Sequence, residues 1–238
     1  MSKRSDQGMK VLIAVIDSGV ITSISDLQNY VIRSTGYRVN PDGFISEFPD
    51  IEPSAVHGTC IALTIRDICS NVSIISINIL NENLATDCRI MLYAINEALK
   101  LNPDIIHMSL GTTKLLYRTY FKKLAEIANF KNTIIVAACN NFGFWSFPAF
   151  IKGVVGVKSI KIAVSKMQFY KKTFFYYAPS NLTGIRGMEN LKCNRMNGTS
   201  VSAAYITGHI ANIIYNEEVN SNLEILTILK HKNIKLQK

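Results

Sequence analysis

Three short motifs in the chain carry side chains that together are suited to nucleophilic chemistry. Residues 17–19 (Asp-Ser-Gly) follow an apolar run, residues 57–59 (His-Gly-Thr) precede a helical pattern, and residues 197–200 (Asn-Gly-Thr-Ser) open another helical pattern. A carboxylate can orient an imidazole through one ring nitrogen, and the other nitrogen can then take a proton from a serine hydroxyl. Taken alone, each motif also fits a structural role: a turn or capping aspartate, a surface or core histidine, and a helix-capping serine.

The position of Ser200 at the start of a predicted helix favours the chemical interpretation. The free amides and the dipole of a helix N-terminus stabilise negative charge that develops beside them. Gly198, two residues earlier, lets the backbone approach a substrate without a Cβ in the way. A capping serine would occupy the same position, so the motif alone leaves both roles open.

The elements that must position these motifs alternate along the chain. Apolar, β-rich runs alternate with longer helical patterns, which predicts a mostly parallel sheet with crossover helices. The carboxyl ends of parallel strands face one crevice, so we expect the three motifs to meet there. The predicted strands are residues 11–16, 72–80, 104–110, 133–138 and 153–157, and the predicted helices are residues 57–69, 84–101 (capped by Asn83), 115–128, 199–215 and 222–230.

Composition limits the class of protein. Of the 238 residues, 48% are hydrophobic and 18% are charged, enough apolar material for a core. We expect one domain over residues 11–238 after a tail of residues 1–10. The net charge is +9, but the basic residues are spread and no nucleic-acid-binding motif occurs, so we expect no nucleic-acid partner. No apolar run approaches the ~18 residues of a membrane span, and no export signal precedes the first strand. We therefore expect a cytoplasmic protein with no membrane partner.

The five cysteines indicate neither a disulfide framework nor a zinc site. Their number is odd and no C-x-x-C pair occurs, so we expect buried free thiols. We also expect no cofactor and no metal. The cysteines are Cys60, Cys69, Cys88, Cys139 and Cys193.

Taken together, the motifs resemble those of the subtilisin-like serine protease family, or subtilases, over nearly the whole chain. The order Asp, His, Ser is that of subtilisin. The resemblance implies an α/β fold of three layers, with a mostly parallel sheet flanked by helices, and a serine endopeptidase acting on a peptide or protein substrate. The segments that carry it are residues 11–19, 25–27, 57–59, 104–111, 135–140, 147–149, 177–179 and 197–200.

The resemblance also implies a role for each site residue. Ser200 would be the nucleophile, His57 the general base and then acid, and Asp17 the group that orients His57. Asn140 and the Ser200 backbone N–H would bind the oxyanion, with Asn141 as a rival one residue further on. Substrate would pair as an extra strand with Ser109, Leu110 and Gly111, and the substrate-binding prediction also includes Ala137, Ala138 and Cys139.

The chain departs from the usual family pattern at four positions near these motifs: Cys60, Leu63, Ala204 and Tyr205. None has a role in proton transfer, so the enzyme interpretation stands. The alternative is a catalytically weak or inactive relative that kept the cleft and binds peptides.

Three further expectations concern calcium binding, the control of proteolytic activity and the charge of the substrate. The segment after His57 lacks the family's calcium-binding loop, and Asp67 is the one candidate carboxylate there. One carboxylate supplies too few oxygen ligands for calcium. With no inhibitory prodomain expected, we anticipate a protease with one dedicated substrate, such as a leader-peptide precursor. Turnover of damaged protein is the alternative role that the resemblance implies. The substrate is expected to be acidic because five lysines follow the predicted pocket: Lys158, Lys161, Lys166, Lys171 and Lys172.

Overall fold

A computed structural model describes residues 10–49, 53, 55–160, 170–172, 174–189, 191, 196–219 and 221–232. Residues 1–9 of the predicted N-terminal tail lie outside the described residues, as do Cys193, Lys161 and Lys166.

The described residues form a single nine-stranded sheet. Its strand order is β3-β2-β4-β1-β5-β6-β7-β9-β8. The six pairings from β2 through β9 are parallel, and only the two edge pairings, β2 with β3 and β8 with β9, are antiparallel. The strands are β1 (Val11–Asp17), β2 (Val31–Val39), β3 (Ile45–Pro49), β4 (Val72–Asn78), β5 (Ile105–Met108), β6 (Ile134–Ala138), β7 (Val155–Ile160), β8 (Tyr170–Lys172) and β9 (Phe175–Pro179).

Helices cover both faces of the sheet and produce the predicted three layers. The alternating side chains of β1 explain the arrangement, because successive residues of a strand point to opposite faces. Ile13 and Val15 pack in the cluster that includes α1 and α4, whereas Ala14 and Ile16 pack in the cluster that includes α2 and α3. A strand buried on both faces reads as a continuous apolar run. The helices are α1 (His57–Ile68), α2 (Cys88–Lys100), α3 (Arg118–Phe130), α4 (Thr199–Asn216) and α5 (Asn222–His231).

The second helix begins later than the sequence suggested. Asn83 was the predicted cap, but Asp87 caps α2, and its side chain accepts a hydrogen bond from the Arg89 backbone N–H. Asn81 instead accepts hydrogen bonds from the amides of Asn83 and Ala85. These bonds form a turn ahead of the helix, a conformation that asparagine side chains favour.

The hairpin of β2 and β3 was not predicted. The first half of β2 is largely exposed, and β3 lies at the sheet edge. Because an edge strand is only partly buried, its sequence lacks the continuous apolar run that identified β1 and β4. Within the described part of the chain, no helix is long and apolar enough to cross a membrane.

Candidate active site

Asp17 and His57 form the best-defined pair in the crevice. Asp17 is the last residue of β1 and is fully buried, and His57 is the first residue of α1. The His57 Nδ1 lies 2.7 Å from Asp17 Oδ1. The same carboxylate oxygen accepts a hydrogen bond of 2.7 Å from the Ser18 backbone N–H.

Each partner of this pair favours the charged form of the other. Burial by itself raises the pKa of Asp17, but the His57 charge and the hydrogen bonds from His57 and Ser18 outweigh it, and the pKa lies below its ordinary value. Burial by itself lowers the pKa of His57, but the Asp17 charge and hydrogen bond outweigh it, and the pKa lies above its ordinary value. An imidazole in this setting is a stronger base than a free histidine.

The sequence folds locally so that α1 can begin against the end of β1. A Cβ on Gly58 would collide with the carbonyl oxygen of Gly19 and would lie 3.2 Å from Asp17. The Ser18 hydroxyl accepts a hydrogen bond of 3.0 Å from the Gly58 N–H and donates one of 2.9 Å to Ala55. Ser18 therefore fixes the helix N-terminus beside the carboxylate, a role that sequence reasoning did not assign to it.

Ser200 is the second residue of α4 and is half-buried. Its hydroxyl donates a hydrogen bond of 3.0 Å to the backbone carbonyl of Ser109. Among the described contacts, the hydroxyl is thus engaged with Ser109 and not with His57. Catalytic hydrogen bonds of a free enzyme often form only when substrate is bound, so this geometry is compatible with transfer of the Ser200 proton to His57.

A cavity of about 170 Å³ lies beside Ser200. Five of the six predicted substrate-binding residues line it: Ser109, Leu110, Gly111, Ala138 and Cys139. The exception is Ala137, which is fully buried in β6 and packs in the cluster that includes α2 and α3. A substrate contact of Ala137 therefore stays a prediction.

Two neighbouring asparagines line the cavity, and their contacts differ. Asn141 Oδ1 accepts a hydrogen bond of 3.0 Å from the Thr199 N–H and one of 3.1 Å from the Thr199 hydroxyl. Gly198 has a φ of +119°, and a Cβ on it would lie 2.9 Å from Asn141 Oδ1. The side-chain amide of Asn141 therefore lies against the turn that carries Ser200, with its oxygen bonded to Thr199.

Asn140 forms hydrogen bonds with other residues of its own loop. Its Oδ1 accepts a hydrogen bond of 2.7 Å from the Phe142 N–H, and its own N–H donates to the Ser146 hydroxyl at 3.0 Å. Asn140 therefore stays a prediction as the oxyanion donor, and the contact of its rival Asn141 with Thr199 is the observation on which the choice proposed below depends. Two adjacent residues of the same type carry no local signal that distinguishes them, so the sequence left this choice open.

The loop after Asn141 is strongly apolar and exposed. Phe142, Phe144 and Trp145 are 85%, 65% and 66% exposed. Phe142 also lines the cavity beside Ser200. The far end of the loop is fixed by a two-way backbone pairing between Thr112 and Phe147, with N···O distances of 2.9 and 2.8 Å.

Other predicted side chains lie away from the cavity. Asp67, the candidate calcium ligand, is almost fully buried and pairs with Arg186 at 2.8 Å. Among the described residues, no three or more His, Cys, Asp or Glu side chains are grouped to hold a metal. Four cysteines are free and buried, as predicted: Cys60, Cys69, Cys88 and Cys139. Burial raises the pKa of Cys139 to about 12, so this cavity-lining thiol is unreactive.

Comparison with known proteins agrees with the fold. The model of the "Subtilase family" peptidases matches residues 8–235. The chain belongs to the subtilase family. It is a serine-type endopeptidase, and a curated relative, the "Major intracellular serine protease" of Bacillus subtilis (strain 168), is 27% identical over 231 residues, which cover 89% of this chain and 70% of the relative.

Solved subtilase structures show the same fold. A lanthipeptide protease superposes with a TM-score of 0.73 at 20% identity, covering 96% of this chain and 81% of that one. The S41 psychrophilic protease superposes with a TM-score of 0.71 at 19% identity, covering 94% and 83%.

Proposed function

We propose that this subtilase hydrolyses peptide bonds through Asp17, His57 and Ser200, with Asn141 as the side-chain donor to the oxyanion. The observation that carries the proposal is the 2.7 Å contact between His57 Nδ1 and the buried Asp17 carboxylate, in the family whose nucleophile is the serine of the Asn-Gly-Thr-Ser motif. Ser200 lies in the first turn of α4, and its hydroxyl bonds to the carbonyl of Ser109, which follows β5, the strand next to β1.

The first half of the reaction forms an acyl-enzyme. The Ser200 hydroxyl gives up its bond to the Ser109 carbonyl, transfers its proton to His57 Nε2 and attacks the scissile carbonyl. Asp17 stabilises the imidazolium that results. The negative charge on the carbonyl oxygen is stabilised by the Asn141 Nδ2 and the Ser200 backbone N–H, and the tetrahedral intermediate collapses as His57 protonates the leaving amine.

The second half returns the enzyme to its starting state. Water replaces the amine, His57 takes a proton from it, and the resulting hydroxide attacks the acyl carbon. The same oxyanion donors act again, and His57 returns its proton to Ser200. Throughout, the backbone of Ser109 to Gly111 is exposed to the cavity and would hold the substrate as an added strand, a mode that relies on main-chain hydrogen bonds.

The test is covalent labelling with a fluorophosphonate, which reacts only with an activated serine. We expect one adduct on Ser200, located by mass spectrometry of the digested protein. Ser200→Ala and His57→Ala should abolish it. Ser202→Ala is the matched control and should still be labelled. Ser202 lies two residues after Ser200 in α4, and its buried hydroxyl is hydrogen-bonded to the carbonyls of Ala178 and Pro179.

The result that would contradict the proposal is a folded wild-type protein that takes up no label. Peptide binding without labelling would favour the alternative, a subtilase-fold protein that binds peptides and does not cleave them.

We also propose a dedicated processing role, the removal of a leader from a peptide precursor, in the cytoplasm. The structural similarity to a protein described as a lanthipeptide protease supports the role, and the relative described as intracellular supports the location. Incubation with a panel of precursor peptides tests it: one precursor should be cut at a single bond, whereas cleavage of unfolded casein at many bonds would contradict a dedicated role.

We also propose that the substrate is acidic. Lys158 stacks over the rings of Phe150 and Phe175, 5.8 and 4.4 Å from their centroids. Lys171 and Lys172 lie on β8, at the edge of the sheet. None of these three lysines lines the 170 Å³ cavity. If they guide an acidic peptide at longer range, added salt should lower kcat/KM for that peptide; a kcat/KM that does not respond to salt would remove the idea.

A further inference from the structure

A second histidine lies behind the candidate active site and has no part in the proposed reaction. His107 is in β5, next to β1 in the sheet, and is fully buried. Its Nε2 lies 2.7 Å from the Ser109 hydroxyl oxygen, and its Nδ1 lies 2.9 Å from the Thr207 hydroxyl oxygen of α4. Both ring nitrogens are therefore occupied, and each contacts a hydroxyl group that can donate or accept.

Ser109 connects this histidine to Asp17. The Ser109 side chain interacts with the Asp17 carboxylate and helps to lower the pKa of Asp17. Both short hydrogen bonds of that carboxylate, from His57 and Ser18, end on Oδ1. The other oxygen, Oδ2, is buried and has no hydrogen-bond partner among the described residues. A buried carboxylate oxygen without a donor is costly, and the Ser109 hydroxyl, whose interaction with Asp17 helps to lower the pKa of that carboxyl, is the candidate donor.

The single proton of the Ser109 hydroxyl can serve only one acceptor. Burial lowers the pKa of His107 to about 4, with the charges of Asp17 and His57 acting on it in opposite directions. The ring is therefore neutral near pH 7, with one nitrogen protonated and the other an acceptor. If Nε2 were the acceptor, it would compete with Asp17 for the Ser109 proton. If Nε2 carries the proton, it donates to Ser109 Oγ, and the Ser109 proton is left for Asp17.

We propose that His107 is a positioning residue for Asp17, acting through Ser109. In this arrangement Thr207 donates to His107 Nδ1, His107 Nε2–H donates to Ser109 Oγ, and the Ser109 hydroxyl donates to Asp17 Oδ2. All three donors point toward the buried negative charge, the order that the carboxylate favours electrostatically. This chain of hydrogen bonds would hold Asp17 through Oδ2, whereas His57 and Ser18 hold it through Oδ1. The inference rests on the proposed catalytic role of Asp17 and His57.

The most direct test does not depend on activity. The chain has four histidines, and ¹⁵N NMR of the imidazole nitrogens distinguishes the two neutral tautomers. Comparison with His107→Asn assigns the signal. We expect His107 in the wild-type protein to be neutral at pH 6, with the proton on Nε2. A proton on Nδ1, or a charged ring at pH 6, would overturn the inference while leaving the proposed triad untouched.

The kinetic test compares two variants of similar size at the same position. His107→Asn keeps a side-chain N–H donor, whereas His107→Leu has none. We expect His107→Leu to lower kcat by about 10-fold to 100-fold with little change in KM, because misplacing a catalytic group affects the transition state more than binding. His107→Asn should recover most of that loss.

The two variants are then repeated in a Ser109→Ala background to separate positioning from packing. If His107 acts through the Ser109 hydroxyl, the Asn and Leu variants should have the same kcat once that hydroxyl is gone. An equal difference between them in both backgrounds would show that His107 has only a packing role. If His107→Leu does not fold, the tautomer measured in the wild-type protein still decides the question.

Discussion

The pair of Asp17 and His57 is enclosed and held by the scaffold, whereas the loop of residues 142–145 is open to solvent. The Asp17 side chain is fully buried and the His57 side chain is 16% exposed. Phe142, Phe144 and Trp145 are between 65% and 85% exposed. The first region lies where β1 meets the N-terminus of α1, and the second is a loop that follows β6.

This difference separates chemistry from selection of the substrate. A proton relay requires fixed distances, and the short bonds from His57 and Ser18 to one carboxylate oxygen provide them. Contact with a substrate side chain requires exposed apolar surface, which the loop provides. We therefore expect substitutions near Asp17 to change kcat, and substitutions of the loop aromatic residues to change KM.

The largest expected effect is loss of Ser200 or His57. Ser200→Ala, His57→Ala and the double variant should each lower kcat by about 10⁶, the magnitude that the corresponding changes have in subtilisin itself. The three losses should be equal because the residues act as one unit. Steady-state kinetics on a fluorogenic peptide, with thermal unfolding as a check of the fold, measures this. Losses that multiply in the double variant would mean that the two residues act separately.

The next effect distinguishes the two asparagines. Asn141→Leu should lower kcat by roughly 10²–10³ and leave KM nearly unchanged, a magnitude taken from the oxyanion asparagine of subtilisin. Asn140→Leu is the matched control and should lower kcat much less, although its lost bonds to the loop should reduce thermal stability. The reverse ranking of kcat would restore the register predicted from the sequence.

A smaller effect is expected for the aromatic loop. Changing Phe142, Phe144 or Trp145 to Ser should raise KM for peptides by about 3-fold to 10-fold, because partial burial of one aromatic side chain contributes roughly 1 kcal/mol to binding. Phe130→Ser is the control, since Phe130 is 90% exposed on α3. A loop variant that lowers kcat without raising KM would contradict the assignment of catalysis to one region and substrate binding to the other.

No effect is expected from removing calcium at the segment after His57. The Asp67 carboxylate already forms an ion pair with Arg186, so we do not expect it to bind a cation. The midpoint of thermal unfolding should be the same with and without a chelator. A fall of many degrees on chelation would show that a cation stabilises the fold.

The same two regions show how far sequence reasoning reaches. β1 was identified because it is buried on both faces, and the start of α1 at His57 followed from the periodic pattern behind it. The choice between Asn140 and Asn141 could not be made from the sequence because two asparagines stand side by side, and the contact of Asn141 with Thr199 is visible only in the structure. A role for His107 could not be predicted, because a single histidine within an apolar strand forms no recognisable motif. Long-range contacts of this kind, such as that of His107 with Thr207, are set by the packing of distant elements.

The pH dependence of kcat/KM is the most direct test of the claim that Asp17 activates His57. Catalysis requires neutral His57, and Asp17 raises the pKa of His57 above its ordinary value of 6.5, so activity should rise with pH through a limb centred above 6.5. In Asp17→Asn the charge that raises this pKa is gone while burial still lowers it. The limb should therefore move to lower pH, and kcat should fall by about 10⁴. A limb at the same pH in both proteins would contradict the account.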